Sequence, residues 1–346
     1  MEDVLIHRIA GCLIGAAYGD ALGAPTENRT REQIFEKLGY VNQFLTPPQD
    51  VFARGNQAGQ VTDDFSMAYA AIQEILKASG RLDDEVAKQA LLEWASDERM
   101  LEQFAGPTSQ KFIKKLRGDA VPEGEGFEAV NDNRRASNGG AMKIGPVACF
   151  AKGDLDKTME LTRIICFPTH GNPIAMSAAC AVSGAVAAAL TGKSLCGVFQ
   201  DAVACAIRGE RIGAAGNTIA GPSMPKRLKF ALTLGTEAPD LSQAMDELRR
   251  YFDCSGMAAD SVPVSFGLMA AAQGDAVAAI EAAANIGNDT DTMATIAGAV
   301  LGAYQGDSVF SKAMAEQLDA ANGYQLQDLA KQIANTNLDI AGRKCQ

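Results

Sequence analysis

The chain has 346 residues, enough for one large domain or two ordinary ones, and 47% of them are hydrophobic. Only 6% are aromatic and much of the apolar content is alanine, which favours closely packed helices and a compact all-helical body. The formal net charge of −11 argues against broad contact with DNA, RNA or anionic membranes, and leaves room only for a local basic pocket that holds one phosphorylated ligand.

The eight cysteines are scattered singly, with no CxxC pair and no zinc-ligand spacing, and several lie in apolar runs. This pattern is typical of free thiols in a reducing compartment, so we expect a cytoplasmic location. The first residues carry no basic segment followed by an apolar stretch, and no run reaches about 18 apolar residues without a polar interruption. We therefore expect neither a signal peptide nor a transmembrane helix.

The first predicted helix covers residues 9–23, where Gly11, Gly15 and Gly19 recur every four residues. Glycines at this spacing form a groove in which a second helix backbone can lie, and tight packing is enough to explain all three. Asp20 sits on this small, apolar segment, where an unpaired carboxylate would be costly. Glu27 follows a helix-ending turn that can project it into a cleft, although either acid alone is more often a solvated surface residue.

A polar loop is predicted for residues 28–59, with a short helix near residues 31–38. Thr62, Asp63 and Asp64 follow it and precede an apolar helical pattern over residues 65–76. Threonine and aspartate are common helix caps, so this motif alone indicates a helix start, which the preceding loop could overhang.

The middle of the chain is predicted to be mainly helical, with an amphipathic stretch over residues 82–116 and a loop over residues 118–135. A glycine-rich segment, residues 137–143, opens a further apolar helix. Its backbone N–H groups could hold a phosphate with help from Arg134 and Arg135, although Asn-Gly-Gly also forms ordinary turns. Residues 168–173 are predicted as a loop that puts His170 at the entrance of an alanine-rich helix, where it could cap, contact ligand or do neither.

Further helices are predicted over residues 194–220, 231–252 and 275–284, residues 261–272 are apolar, and no segment of useful length alternates like a β-strand. The strongest motif follows them, because Asn288, Asp289, Thr290, Asp291 and Thr292 open an apolar helix rich in alanine and glycine. One helix cap needs one side-chain oxygen, and this stretch supplies several.

Two acidic helix starts, one in each half of the chain, predict a shared site. Asp289 and Asp291 are two residues apart and can point to the same side of an extended backbone. Carboxylates held close together repel one another unless a cation lies between them, and hard divalent cations prefer oxygen ligands. Converging starts could hold two metal ions in an arrangement suited to hydrolysis. No Walker loop, dinucleotide-binding glycine motif or Ser/His/Asp order competes with this interpretation.

In their order along the chain, these motifs resemble those of the ADP-ribosylglycohydrolase family, which includes the dinitrogenase-reductase-activating glycohydrolases. The combination carries the resemblance: Gly19-Asp20-Ala21-Leu22-Gly23 with Glu27, Thr62-Asp63-Asp64, Ser137-Asn138-Gly139-Gly140-Ala141-Met142, Thr169-His170, and Gly287-Asn288-Asp289-Thr290-Asp291-Thr292 with Ala297-Gly298-Ala299. It implies a single domain over residues 1–346, folded as a compact all-α orthogonal multi-helix bundle, with two divalent cations, Mg2+ or Mn2+, in a cleft.

The resemblance also implies roles for individual residues. The implied metal ligands are Thr62, Asp63, Asp64, Asp289, Asp291 and Thr292, and the implied substrate-binding residues are Asp20, Ser137, Asn138, Gly139, Gly140, Ala141 and His170. Cleavage of a ribosyl bond passes through an oxocarbenium-like centre. We expect Asp63 or Asp289 to help position water and Glu27 to lie near the ribose, and the sequence does not decide which acid is the proton donor.

The sequence departs from the family pattern at two positions. Many members have a threonine where Phe65 stands and a glycine where Asn288 stands. Because every metal-ligand position is kept, we expect the metal site to be retained and the ligand-facing shape to differ. The leaving group and the need for a complete ADP-ribose are therefore open.

Three functions are compatible with these motifs. The first is removal of ADP-ribose from a modified protein side chain, with arginine as the first choice by resemblance. The second is hydrolysis of a small N- or O-ribosylated metabolite. The third is a non-catalytic role like that of the lens J1 crystallins, which resemble the same family. The retained acids argue against it, because an inactive scaffold has no physical reason to keep repelling carboxylates together.

Overall fold

The computed structural model describes residues 2–121 and 133–340, apart from the side chains of Glu2, Asn133 and Arg134. Within these residues the chain forms seventeen α-helices, three short 3-10 helices and two strands of two residues each. The predicted all-α fold is therefore confirmed. Most of the predicted loop over residues 118–135 lies outside the described residues.

The helices of the first half are α1 Glu2–Gly23, α2 Arg31–Leu38, α3 Asp63–Lys77, α4 Asp84–Trp94, α5 Glu98–Gln103, α6 Pro107–Arg117, α7 Ala141–Ala148 and α8 Leu155–His170. Those of the second half are α9 Pro173–Leu190, α10 Leu195–Gly213, α11 Met224–Glu237, α12 Leu241–Tyr251, α13 Ala258–Ala271, α14 Ala276–Ile286, α15 Thr290–Gln305, α16 Lys312–Asn322 and α17 Leu326–Asn335. The strands, β1 Arg81–Leu82 and β2 Asp339–Ile340, pair in parallel.

The boundaries of some predicted helices differ from those in the structure. The stretch over residues 82–116 forms α4, α5 and α6, because Asp83 and Asp97 cap new helices by accepting hydrogen bonds from Val86 N–H and Met100 N–H. The helix predicted over residues 194–220 ends at Gly213. In these stretches the hydrophobic period was correct and the boundaries were not.

Helices α1 and α15 are in backbone contact along most of their length. A methyl group added to Gly11, Gly15 or Gly19 would overlap the carbonyl oxygen of Gly302, Gly298 or Ala294 in turn. The partner residue number falls as the α1 number rises, so the two helices run antiparallel. The predicted groove along α1 is confirmed, and its occupant is α15. This packing sets the C-terminal end of α1 beside the N-terminal end of α15.

Helix α9 lies in the core. Among the described helices it alone is long and apolar enough to cross a membrane by length and composition, and 94% of it is buried within the protein. Two serines interrupt it, and both form hydrogen bonds inside the protein: Ser177 Oγ donates to Ala206 O at 2.7 Å, and Ser183 Oγ donates to Cys180 O at 3.4 Å. The helix packs against α7, α8, α10 and α15.

Candidate metal centre

The two acidic helix starts meet at one place. Carboxylate oxygens of Asp20, Asp64 and Asp291 lie within 4.8 Å of one another, and those of Glu27, Asp289 and Asp291 form a second group with the same spacing. Asp291 belongs to both groups. The carboxylates therefore come from the end of α1, the start of α3 and the start of α15, as the packing of α1 on α15 dictates.

Asp20 fixes the start of α3. Its Oδ1 accepts a hydrogen bond from Thr62 N–H and its Oδ2 accepts one from Phe65 N–H, both at 2.9 Å. Thr62 then caps α3, since its side chain accepts from Asp64 N–H at 3.4 Å. Among the described residues that line the cavity next to the cluster, neither Asp20 nor Thr62 appears. The structure thus gives Asp20, which the sequence assigned to substrate binding, a buried position behind the first turn of α3.

Asp64 and the start of α15 are joined through Thr292. Thr292 Oγ1 donates to Asp64 Oδ1 at 3.1 Å, and Thr292 N–H donates to Asp291 Oδ1 at 3.0 Å. The second oxygen of Asp64, Oδ2, is buried and has no hydrogen-bond partner. A buried carboxylate oxygen without a donor is costly, and a cation ligand is one arrangement that satisfies it.

Asp289 is oriented by the glycine-rich loop. Its Oδ2 accepts a hydrogen bond from Asn138 Nδ2, which also donates to Ser261 Oγ at 2.8 Å. Its backbone N–H donates to Cys254 O at 3.0 Å. The amide of Asn138 therefore holds an acid of the cluster, and Asn138 also lines the cavity next to it.

The crowded carboxyl groups resist ionisation. Burial raises the pKa of Asp20 to about 6, and burial with repulsion from Asp20 and Asp289 raises the pKa of Asp63 to about 8. Burial is also the largest cause of the raised pKa values of Glu27, Asp64, Asp289 and Asp291. A hard divalent cation would offset this repulsion, so the donor set and its charge fit Mg2+ or Mn2+.

A cavity of about 990 Å3 opens over the cluster. Its lining contains Glu27, Asp63, Asp64, Asp289, Asp291 and Thr292, loop residues Ser137, Asn138, Gly139 and Met142, the segment Pro168, Thr169 and His170, and, around α6, Phe104, Lys111, Phe112 and Lys115. No residue between 28 and 59 is among them, so the prediction that this loop overhangs the site is wrong. Asn56 Nδ2 instead donates to Val61 O at 3.1 Å and supports the backbone just before Thr62.

His170 lies at the end of a helix. The predicted loop over residues 168–173 is wrong, because α8 continues through Pro168 to His170. Its Nδ1 lies 2.7 Å from Thr169 Oγ1 and its Nε2 lies 3.1 Å from Ser137 Oγ. Burial lowers the pKa of His170 to about 3, so the ring is neutral. A side chain at Gly139 would come within 2.8 Å of Nε2, which explains glycine there.

Sequence reasoning missed Lys143. Its side-chain nitrogen is buried without a hydrogen-bond partner in the first turn of α7, and burial lowers its pKa. It interacts electrostatically with Asp63 and Cys166. A lysine after Gly-Gly reads as a solvated residue in the sequence, so only the three-dimensional packing reveals it. Sequence reasoning also missed that α6 lines the cavity, although Lys111 and Lys115 are one helical turn apart and so lie on the same face of that helix.

The two departures from the family pattern lie outside the cavity lining. Phe65 is fully buried and its ring packs on Tyr324, with centroids 5.7 Å apart. Asn288 adopts a left-handed backbone, φ 66°, which asparagine tolerates, and its Nδ2 donates to Asp253 O at 2.8 Å. Neither side chain is therefore among the described residues that line the cavity over the acidic cluster.

A family model described as ADP-ribosylglycohydrolase matches residues 1–340. The chain belongs to the ADP-ribosylglycohydrolase family. The resemblance inferred from the motifs is thus confirmed, and with it the assignment as a glycosyl hydrolase. In this ADP-ribosylglycohydrolase the acidic cluster could hold a metal ion.

Relatives of this ADP-ribosylglycohydrolase match over nearly the whole chain. The uncharacterised protein YegU of Escherichia coli K12 is 29% identical over 95% of this chain and 96% of its own. The ADP-ribosylhydrolase ARH3 of Gallus gallus is 24% identical, covering 87% and 86%. The ADP-ribosylarginine hydrolase Tri1 of Serratia proteamaculans is 24% identical, covering 96% and 80%. A solved ADP-ribosylglycohydrolase-related protein complex shares the fold, with a TM-score of 0.69, 20% identity and coverage of 97% and 99%.

Proposed function

We propose that the protein is a metal-dependent hydrolase that cleaves the ribosyl bond of ADP-ribosylated protein side chains, with arginine as the first substrate, and releases ADP-ribose. The observation that carries the proposal is that two clusters of three carboxylates share Asp291 and lie at the edge of a cavity of about 990 Å3. This volume is at the upper end of the range for ligand pockets, so the cavity has room for a dinucleotide-sized ligand. The relatives ARH3, an ADP-ribosylhydrolase, and Tri1, an ADP-ribosylarginine hydrolase, support ADP-ribosyl hydrolysis, and Tri1 supports arginine as the modified residue.

Two divalent cations, Mg2+ or Mn2+, are the proposed cofactors. One group of carboxylates is Asp20, Asp64 and Asp291, and the other is Glu27, Asp289 and Asp291. Asp63 and Thr292 line the same cavity and complete the proposed ligand set with Thr62, the cap of α3. When bound, such ions supply Lewis acidity that orients ribose hydroxyls and lowers the pKa of water.

The chain supplies the remaining chemistry through its own acids. Glu27 lines the cavity, and burial together with repulsion from Asp289 and Asp63 raises the pKa of its carboxyl group. It is the proposed acid–base residue beside the ribose. Asp289, held by Asn138, and Asp63 are the proposed positioning acids for the attacking water.

The rest of the cavity is proposed to hold the ADP moiety. Residues 137–141 give a glycine-rich start to α7, where backbone N–H groups and a small loop suit a phosphate or ribose. The neutral His170, fixed between Thr169 and Ser137, presents an uncharged surface. Lys111 and Lys115 add positive charge to the lining of an otherwise acidic protein, which favours a pyrophosphate.

A cytoplasmic location is part of the proposal. None of the seven cysteines in the described part of the chain forms a disulfide, and six of them are buried. Free buried thiols are typical of a reducing compartment.

The test is product analysis with the purified protein in millimolar Mg2+ or Mn2+. ADP-ribosyl-arginine protein and small N-ribosides are offered separately. We expect free ADP-ribose from the first, and a loss of about 10²-fold or more in kcat/KM for Asp289→Ala. Asp156→Ala, an exposed acid paired with Arg208, is the matched control and should keep full activity. Turnover of ribosides that lack the adenosine diphosphate, without release of ADP-ribose from protein, would refute the proposed substrate.

A further inference from the structure

Helix α6 carries three lysines, Lys111, Lys114 and Lys115, on the face that points away from the core, and we call them the lysine stripe. With about 3.6 residues per turn, the three positions cover an arc of about 100°, opposite the buried Ser109 and Ile113. All three lysines are exposed. The helix contains no acid, so the stripe is a compact positive surface on a chain of net charge −11.

The lysines of the stripe are not neutralised within the described part of the chain. Their side chains make no ion pair and no hydrogen bond to any residue there. Lysines elsewhere do pair with acids, as Lys88 does with Glu85 at 2.6 Å. Lys193 likewise pairs with Asp201 at 2.5 Å. The ammonium groups of the stripe are therefore available to carboxylates of a second molecule.

The stripe borders the mouth of the cavity over the acidic cluster. Lys111 and Lys115 line this cavity and are exposed to solvent, whereas Lys114 is not among the described residues that line it. Asp119, the nearest acid along the chain, also lines the cavity and is exposed, and one such charge does not offset three lysines. When a modified side chain enters the cavity towards Asp289, the residues that flank it stay outside, beside this positive rim.

We propose that the lysine stripe docks acidic side chains that flank the modified residue of a protein substrate. This inference rests on the proposed hydrolase function and adds a substrate class, namely proteins with glutamate or aspartate beside the ADP-ribosylated residue. Complementary charges at an exposed rim favour encounter and specificity more than affinity. Nucleic acid is the other polyanion that lysines bind, and the net charge of −11 opposes a long phosphate backbone.

Fluorescence anisotropy on the full chain in Mg2+ buffer tests the docking without turnover. The probes are a labelled, unmodified peptide rich in glutamate, its glutamine counterpart and a labelled single-stranded DNA. We expect the glutamate peptide to bind best, and the triple variant Lys111→Gln/Lys114→Gln/Lys115→Gln to weaken its binding by about tenfold, because three exposed ion pairs are lost. Tighter binding of the DNA than of the glutamate peptide would overturn the proposed partner.

A second triple variant, Lys157→Gln/Lys229→Gln/Lys312→Gln, is the charge-matched control. Its three lysines are exposed, lie on three other helices and are not among the described residues that line the cavity. The control removes the same net charge and should change the Kd by less than about twofold, since exposed charges outside a contact are largely screened by salt. Equal weakening by the two triple variants, or no binding of the glutamate peptide to the wild type, would overturn the docking surface.

Kinetics connects the stripe to the proposed reaction. Two ADP-ribosyl-arginine peptides that differ only in glutamate or glutamine beside the modified residue are compared. The wild type should favour the glutamate peptide through a lower KM at equal kcat, and Lys114→Gln should reduce this preference by about threefold. Contacts to the pyrophosphate act equally on both peptides, so the ratio of their KM values reports docking alone.

The outcomes separate the two proposals. An equal KM ratio in the wild type and in Lys114→Gln would overturn the role of the stripe in specificity. Failure of turnover with both peptides, beside intact binding of the unmodified glutamate peptide, would refute the hydrolase function and still support the docking surface.

Discussion

The substitution Asp64→Asn should stabilise the metal-free protein and reduce the stability that the protein gains from metal. Asp64 Oδ1 accepts a hydrogen bond from Thr292 Oγ1, which an asparagine oxygen can also accept, whereas Oδ2 has no partner. An amide nitrogen in place of Oδ2 becomes a donor that faces the carboxylates of Asp20 and Asp291. The change therefore keeps the one hydrogen bond and removes one charge.

The expected gain follows from Coulomb's law. Two unit charges within 4.8 Å repel by at least about 3.5 kcal/mol at an effective dielectric constant of about 20, and Asp64 faces two such neighbours. A carboxyl group can escape by taking up a proton, which costs about 4 kcal/mol at pH 7 and sets the upper limit. We expect Asp64→Asn to stabilise the metal-free protein by about 2–4 kcal/mol.

Urea denaturation in EDTA and in millimolar Mn2+ measures both sides of this prediction. The wild type should gain about 4.1 kcal/mol when Mn2+ is at 1,000 times its Kd, and the variant should gain much less, so the stability advantage that the variant has in EDTA should be lost. Asp156→Asn, whose side chain is 89% exposed, is the control and should respond to Mn2+ as the wild type does. A variant that is less stable than the wild type in EDTA, or that gains as much from Mn2+, would refute the reasoning.

Three further predictions concern packing, backbone and pH. Gly298→Ala should destabilise by about 1–3 kcal/mol in urea, because its methyl group would overlap the α1 backbone, whereas Gly106→Ala, with open space around it, should be nearly neutral. Asn288→Ala should cost more stability than Asn288→Gly by calorimetry, since alanine tolerates a φ of 66° poorly. In EDTA the melting temperature should fall as pH rises from about 4 towards 8, because the folded protein retains protons on Asp20 and Asp63, with pKa values of about 6 and 8, that the unfolded chain releases. Millimolar Mg2+ should flatten this profile, and a melting temperature that rises with pH in EDTA would contradict the last prediction.

The fold was largely predictable because its determinants are local. Glycines every four residues on α1 predicted a close helix partner, and the structure supplies α15. Acidic motifs typical of helix starts predicted the starts of α3 and α15, which begin at Asp63 and Thr290. The sequence could not predict where α8 ends, because burial of its last turn outweighs the local preference of Pro168 against helix.

The candidate site was predictable in composition and less so in arrangement. Two motifs 225 or more residues apart had to be assumed to meet, and the packing of α1 against α15 is what brings them together. Asp20 was grouped with the substrate, yet its carboxylate oxygens accept hydrogen bonds from the backbone N–H groups of Thr62 and Phe65 at the start of α3. No sequence pattern displays this contact between residues more than 40 positions apart. Lys143 was missed for the same reason, since burial of a lysine is a property of the tertiary structure.

An anomalous difference map from a crystal soaked in Mn2+ would test the central claim most directly. The shared acidic site predicts two manganese peaks, one near Asp64 and one near Asp289, with Asp291 within coordination distance of both. A map without a peak at these carboxylates, in crystals that take up Mn2+ elsewhere, would contradict it.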